Sequence, residues 1–126
     1  MPVRYAINKE QQLVVTTGSG HLTFAEAVAH QDQLLNDPDF NAEFNQLIDL
    51  TAVTSLDISV AEAKMIALRK LFSSRSRRAC VSGNPSIFGM GRMMEVYHEM
   101  AEVVSLVHIF YDLPSALKWL GLDRVP

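Results

Sequence analysis

Leu47-Ile48-Asp49-Leu50-Thr51-Ala52-Val53-Thr54-Ser55-Leu56-Asp57-Ile58-Ser59 is the stretch on which the fold turns. Gln46 to Leu50 is short and apolar, as a buried central strand should be. Ser59 and Glu62 form a capping box, so a helix should open at Val60. Between strand and cap, the polar residues from Thr51 onward predict a loop. Strand, loop and helix in immediate succession are the repeating unit of α/β proteins, and ligands dock where such strands end and helices begin. On this reading Asp49, Thr51, Asp57 and Ser59 share one loop surface.

Working outward from that stretch extends the pattern. Upstream, Val3 to Asn8 alternates, with Val3, Tyr5 and Ile7 on one face, which predicts a half-exposed strand. Lys9-Glu10 reads as a hairpin turn. Gln12 to Thr17 is β-branched and apolar, hence a second strand, which Gly18-Ser19-Gly20 should end or bulge. Thr23 and Glu26 form another capping box. Phe24, Ala27, Val28, Gln31, Leu34 and Leu35 make the inner stripe of the helix it opens, and Asn36-Asp37-Pro38 closes it.

Downstream, the helix after Ser59 should bury Val60, Ala63, Ala67, Leu68 and Leu71 and turn Lys64 and Arg69 outward. A fourth strand lies around Ala79-Cys80-Val81. Asn84 and Pro85 are a cap and a first helical residue, opening a helix to about Glu102 with Ile87, Met90, Met94, Tyr97 and Ala101 inward. Leu106 to Tyr111 is a fifth strand. A last helix follows Asp112, and Gly121 stops it. The order is β-β-α-β-α-β-α-β-α: an α/β fold with a five-stranded mixed sheet and four helices. The first strand, entering by a hairpin, should run antiparallel at an edge.

Composition narrows the function classes. The chain has 126 residues, 48% of them hydrophobic and 20% charged, which suits one globular domain spanning residues 1–126. A net charge of −3 gives no reason to expect nucleic acid as a partner. The lone Cys80 excludes an internal disulfide framework and a multi-cysteine metal site. No apolar run approaches the ~20 residues that span a bilayer, and Met1-Pro2-Val3-Arg4-Tyr5 lacks a signal-peptide apolar core. A cytoplasmic protein, not a transmembrane one, is expected.

The element order and the residues around Asp49 resemble the STAS superfamily, named for sulfate transporters and anti-sigma-factor antagonists. Leu47-Ile48-Asp49-Leu50-Thr51 resembles that family's strand end, and Asp57-Ile58-Ser59-Val60 occupies the position of its Asp-Ser-Ser-Gly. Ser59 thereby matches the serine phosphorylated in the antagonist branch, and Asp57 the acidic residue before it. Ile58 and Val60 depart from the pattern, and Val60 lacks glycine's close backbone approach. The C-terminal third looks closer to the bacterial SpoIIAA-like, or STAS/SEC14-like, proteins. That resemblance rests on Ser86-Ile87-Phe88-Gly89-Met90-Gly91-Arg92-Met93 and on Val107-His108-Ile109-Phe110-Tyr111-Asp112-Leu113-Pro114-Ser115-Ala116-Leu117-Lys118-Trp119-Leu120.

Each chemically suggestive residue has a plainer reading beside it. Ser59 caps a helix; it is also the candidate phosphoacceptor, since a helix N-terminus favours an anion. Asp49 and Asp57 could pair for acid–base work, but no nucleophile or metal site accompanies them, and aspartates near turns usually satisfy backbone. His21, His30, His98 and His108 have no metal-ligand spacing, and His98 with Glu95 or Glu102 reads as a solvated helix face. Cys80 reads as a small buried hydrophobe. Arg69, Lys70, Arg75, Arg77 and Arg78 read as a solvated basic loop. Gly89 and Gly91 weaken a helix unless something approaches its backbone closely. That something is the sheet in one reading. In the other, Phe88, Met90, Met93 and Met94 line an apolar groove, methionine being an adaptable lining.

Two functions are therefore expected ahead of catalysis, neither needing a cofactor or a metal. The first is a non-enzymatic regulatory module that binds a protein partner through Asp49, Thr51, Asp57 and Ser59 together with Ser82 and Asn84. The second is a carrier or sensor of a small apolar or lipid-like ligand. An enzyme using Asp49 and Asp57 ranks last. An apolar cavity under the Phe88–Met94 helix would mark the carrier; a solid core with an exposed Ser59 loop would mark the regulator. The Val3–Asn8 edge and the Met/Phe helix are two surfaces on which a homodimer could form.

Overall fold

The structure, a computed structural model, describes residues 2–100 and 106–126; for residues 97–100 only the backbone is described. Nine elements follow one another: β1 (Val3–Asn8), β2 (Leu13–Thr23), α1 (Phe24–Leu35), β3 (Asn45–Asp57), α2 (Val60–Leu68), β4 (Arg77–Val81), α3 (Pro85–Met100), β5 (Leu106–Phe110) and α4 (Leu113–Leu120). The sheet order is β1-β2-β3-β4-β5. β1 is antiparallel to β2, and every other pair is parallel. Strands are thus added in one direction. Right-handed crossovers then place α1, α2 and α3 side by side on one face, while α4 packs on the other, against β3, β4 and β5.

Helix starts follow their sequence signals. Thr23 and Ser59 each accept a bond from the backbone N–H three residues on, and Glu26 and Glu62 accept from the cap N–H in return. Asn84 Oδ1 accepts from the N–H groups of Ser86 and Ile87 at the start of α3. Asp112 caps α4, and Gly121 ends it in the left-handed conformation at φ 77°. The β1–β2 hairpin lacks glycine; Gln12 takes the left-handed position at φ 53°, so the second strand begins at Leu13.

The largest correction concerns the stretch from Thr51 to Asp57. It is strand, not loop: β3 runs unbroken to Asp57, and its last residues pair with Ser19–Thr23 of β2. Gly18-Ser19-Gly20 does not end β2. It bulges it, with register shifts on either side and Gly20 at φ 65°. Thr51, Val53 and Thr54 are β-branched and suit a strand, and the second strand that satisfies their backbone comes from far away in sequence. A two-stranded arm therefore extends past the last rung between β3 and β4, where Asp49 lies opposite Val81.

The two faces of the sheet are packed differently. On the α4 side, Leu13, Leu47, Ala79 and Val81 meet Ala116, Leu117 and Leu120 in a tight core. On the other side Val14, Leu34, Phe44 and Leu71 form one cluster, and Leu22, Val53 and Ile87 another. Between those two clusters the helices do not fill the space. Ile48, on the central strand, stays half-buried while its neighbour Leu47 is fully buried. α2 buries no residue completely: Val60 and Leu68, expected inward, are 41% and 42% exposed. Leu35, also expected inward, is exposed. Tyr97 and His98 side chains, Ala101 and Glu102 lie outside the described residues.

Candidate ligand-binding site

Under α1, α2 and α3 lies a partly enclosed cavity of about 250 Å³. Strand alternation builds its floor. Gln46 and Ile48 of β3, Arg78 and Cys80 of β4, and Val107 and Ile109 of β5 all point to the helix side, with Gln46 in register with Arg78 and Ile48 with Cys80. Ala27 of α1 and Ala63 and Ala67 of α2 form part of the roof. Their short side chains leave the hollow that larger residues would close. Leu56 and Ile58, from the arm and the turn after it, line it beside Ile87, and Met90 and Met94 line it further along α3.

The lining is apolar with one polar end. Gln46 Nε2 donates to Thr16 Oγ1 at 2.9 Å, and Thr16 Oγ1 lies 3.1 Å from His30 Nε2. The Thr16 hydroxyl has one proton and two lone pairs, so toward Nε2 it serves as donor or as acceptor according to the ring's tautomer, and the other ring nitrogen is Nδ1. That nitrogen is buried with no hydrogen-bond partner among the described residues. Burial holds the His30 pKa below its ordinary value, so the ring is neutral. Beside this end, the Arg78 guanidinium stands over the Phe72 ring, 5.3 Å from its centroid. Burial lowers the Arg78 pKa to about 10, which leaves it cationic at neutral pH. Arg78 is the only charged side chain among the described residues that line the cavity.

Cys80 sits on the floor rather than in solid core. What it leaves uncovered lines the cavity, and desolvation, helped by the charge of Asp49, pushes its thiol up to about 12. The basic loop expected from Arg69 to Arg78 is dispersed. Arg69 is half-buried and bonds Gln31 and Asp32 of α1, Arg75 pairs with Glu43, and Arg77 donates to the Trp119 carbonyl. Glu95, expected on a solvated face, is buried. Its carboxylate accepts from the Ile109 N–H of the edge strand β5 and from Arg92 at 2.7 Å. A buried carboxylate thus satisfies a backbone donor that no further strand pairs.

The expected groove residues divide. Met90 and Met94 line the cavity, Phe88 stacks on Tyr111 at 3.6 Å, and Met93 is exposed. Gly91, not Gly89, is the glycine that something approaches, and that something is Ile109.

The expected loop surface divides too. Asp49 Oδ1 accepts from both the N–H and the hydroxyl of Thr51. Ser82 Oγ accepts from the Asn84 N–H, and Ser82 is fully buried. Asp57 and Ser59 stand eight and ten residues beyond Asp49, about 26 Å and more along the strand at 3.3 Å per residue. The two aspartates are not one carboxylate pair. Sequence reasoning missed His30, Gln46, Thr16 and Arg78. The available signal was phase: Gln46 is two residues from Ile48 and Arg78 two from Cys80, so each pair shares one face of its strand.

No protein-family model matches the chain, and no curated protein matches it in sequence. A solved structure does: an uncharacterized protein from the DUF3478 family with a SpoIIAA-like fold, from Shewanella loihica PV-4. The two share a TM-score of 0.59 at 20% sequence identity, over 94% of this chain and 93% of that one. The fold is SpoIIAA-like. No helix among the described residues is long and apolar enough to cross a membrane.

Proposed function

We infer that the protein binds a small apolar or lipid-like ligand in the cavity beneath α1, α2 and α3 and acts as its carrier or sensor, without catalysis. The observation that carries this reading is the hollow itself. Native interiors are close-packed, yet here about 250 Å³ stays open in the middle of an apolar face that three helices cover. A void of that size forfeits dispersion contacts and burial, and an apolar occupant restores both. The other reading, a regulatory module binding a protein through Asp49, Thr51, Asp57 and Ser59, draws less support, because β3 spreads those residues along an arm.

A cavity-filling variant tests it. Ala67→Phe places a ring where the roof is thin. Medium-chain alcohols or acids should raise the melting temperature of the wild type and not that of Ala67→Phe, with native mass spectrometry giving a stoichiometry of one. Equal shifts in both proteins would mean binding elsewhere and would end the reading.

A further inference from the structure

We propose that the cavity selects an uncharged molecule of about ten carbon-sized atoms, so that a medium-chain alcohol is a guest and the matching carboxylate or ammonium ion is not. The inference rests on the reading above that the cavity holds a ligand, and it adds the charge and the size.

The charge follows from what the polar lining already does. Gln46 donates to Thr16, and Thr16 in turn meets His30. Gln31 donates to the Ile66 carbonyl of α2 and accepts from Arg69. Arg78 lies over the Phe72 ring and is engaged beyond that contact. A ligand carboxylate would have to win Arg78 from the contacts it already makes, and a buried charge without a counter-ion is costly. An ammonium ion would find no carboxylate among the described residues of the lining and would share the hollow with the Arg78 cation. His30 Nδ1 is buried without a partner, but a neutral ring nitrogen calls for a hydrogen bond, not for a counter-ion.

Cys80 reports the same property from the middle of the floor. It stands in register with Ile48 on one side and Ile109 on the other, and all three line the cavity. Desolvation, with the charge of Asp49 added, pushes its thiol up to about 12. Surroundings that keep a thiol protonated oppose a carboxylate in the same place for the same reason. A hydrocarbon guest takes up the dispersion contacts of that floor and brings no charge to desolvate.

The size follows from the volume. An apolar cavity of about 150 Å³ takes up benzene. At the same filling, 250 Å³ accommodates about ten carbon-sized atoms. Octan-1-ol, octanoate and octylamine all come close to that size and differ in the charge of the head group.

Calorimetric titration of the wild-type protein with these three at neutral pH tests the proposal. Octan-1-ol should bind at least tenfold tighter than octanoate or octylamine, and Ala67→Phe should lose that binding. Octanoate or octylamine binding as tightly as octan-1-ol to the wild type would overturn the assignment of an uncharged guest and leave the cavity reading standing. No binding of any of the three up to millimolar concentration would overturn the cavity reading itself, as would octan-1-ol binding unchanged in Ala67→Phe. The comparison of ligands on the wild type needs no variant, so the test survives an Ala67→Phe protein that does not fold.

Discussion

Gly91 of α3 lies so close to Ile109 of β5 that a Cβ on the glycine would stand 2.7 Å from Ile109 Cδ1 and 3.1 Å from its Cβ. Real side chains do not approach so near, and the Ile109 Cβ cannot swing aside. Glycine here sets how near α3 comes to the sheet, and hence the height of one wall of the cavity. Gly89, two residues earlier, has nothing within 4 Å of the same position.

The two glycines should therefore respond oppositely to alanine. Gly91→Ala gains up to about 1 kcal/mol of helix propensity but overpacks at a cost of about 1–3 kcal/mol, so it should lower stability. Gly89→Ala should raise it by up to about 1 kcal/mol, propensity acting alone. Urea unfolding of both variants beside the wild type measures the pair. Equal shifts would show that α3 is not held against Ile109.

Ser59 is a helix cap in a complete box with Glu62. Ser59→Ala should cost about 1 kcal/mol, and Ser59→Asp, which also caps, should cost little. A phosphate on Ser59 would face the Glu62 carboxylate already bonded to the Ser59 N–H, and like charges repel. Incubation with kinase extracts should label wild type and Ser59→Ala alike. Label lost only from the alanine variant would assign Ser59 a regulatory phosphate instead.

His30 ties stability to pH. Burial holds its folded pKa below the ordinary 6.5, so the unfolded chain takes up a proton that the folded one refuses. Its contribution is complete above the unfolded pKa, near 6.5, and is lost as pH falls from there toward the folded pKa. His30→Gln should flatten the dependence of unfolding free energy on pH in that window. A slope unchanged by the substitution would mean that the ring accepts a proton in place.

Cys80 should be nearly inert in the folded protein. With its thiol pushed up to about 12 from an ordinary 9.0, the thiolate fraction at pH 8 falls roughly a thousandfold on folding, and only the thiolate reacts. Iodoacetamide should modify the urea-unfolded chain far faster than the native one. Fast native labelling would show that water fills the cavity around the thiol.

By itself the sequence determined the element order, the parallel sheet with an antiparallel edge, and the starts of the helices. Those are local properties: a capping box at Thr23 or Ser59 needs only four residues, and the period of Val3–Asn8 needs only six. Tertiary structure decided the rest. Whether Thr51–Asp57 is strand or loop depends on a partner strand, and Ser19–Thr23 supplies it from 33 to 34 residues upstream. The period of a strand shows which side chains face inward but not whether the facing helices fill the space they enter. Alanines at positions 27, 63 and 67 read as ordinary buried helix residues until α1 and α2 are set over Ile48 and Cys80, and only then do they become the thin roof of a cavity. His30, Gln46 and Arg78 likewise read as unremarkable polar residues in the chain. Their meeting at one end of an apolar hollow is a property of packing, which no local pattern carries.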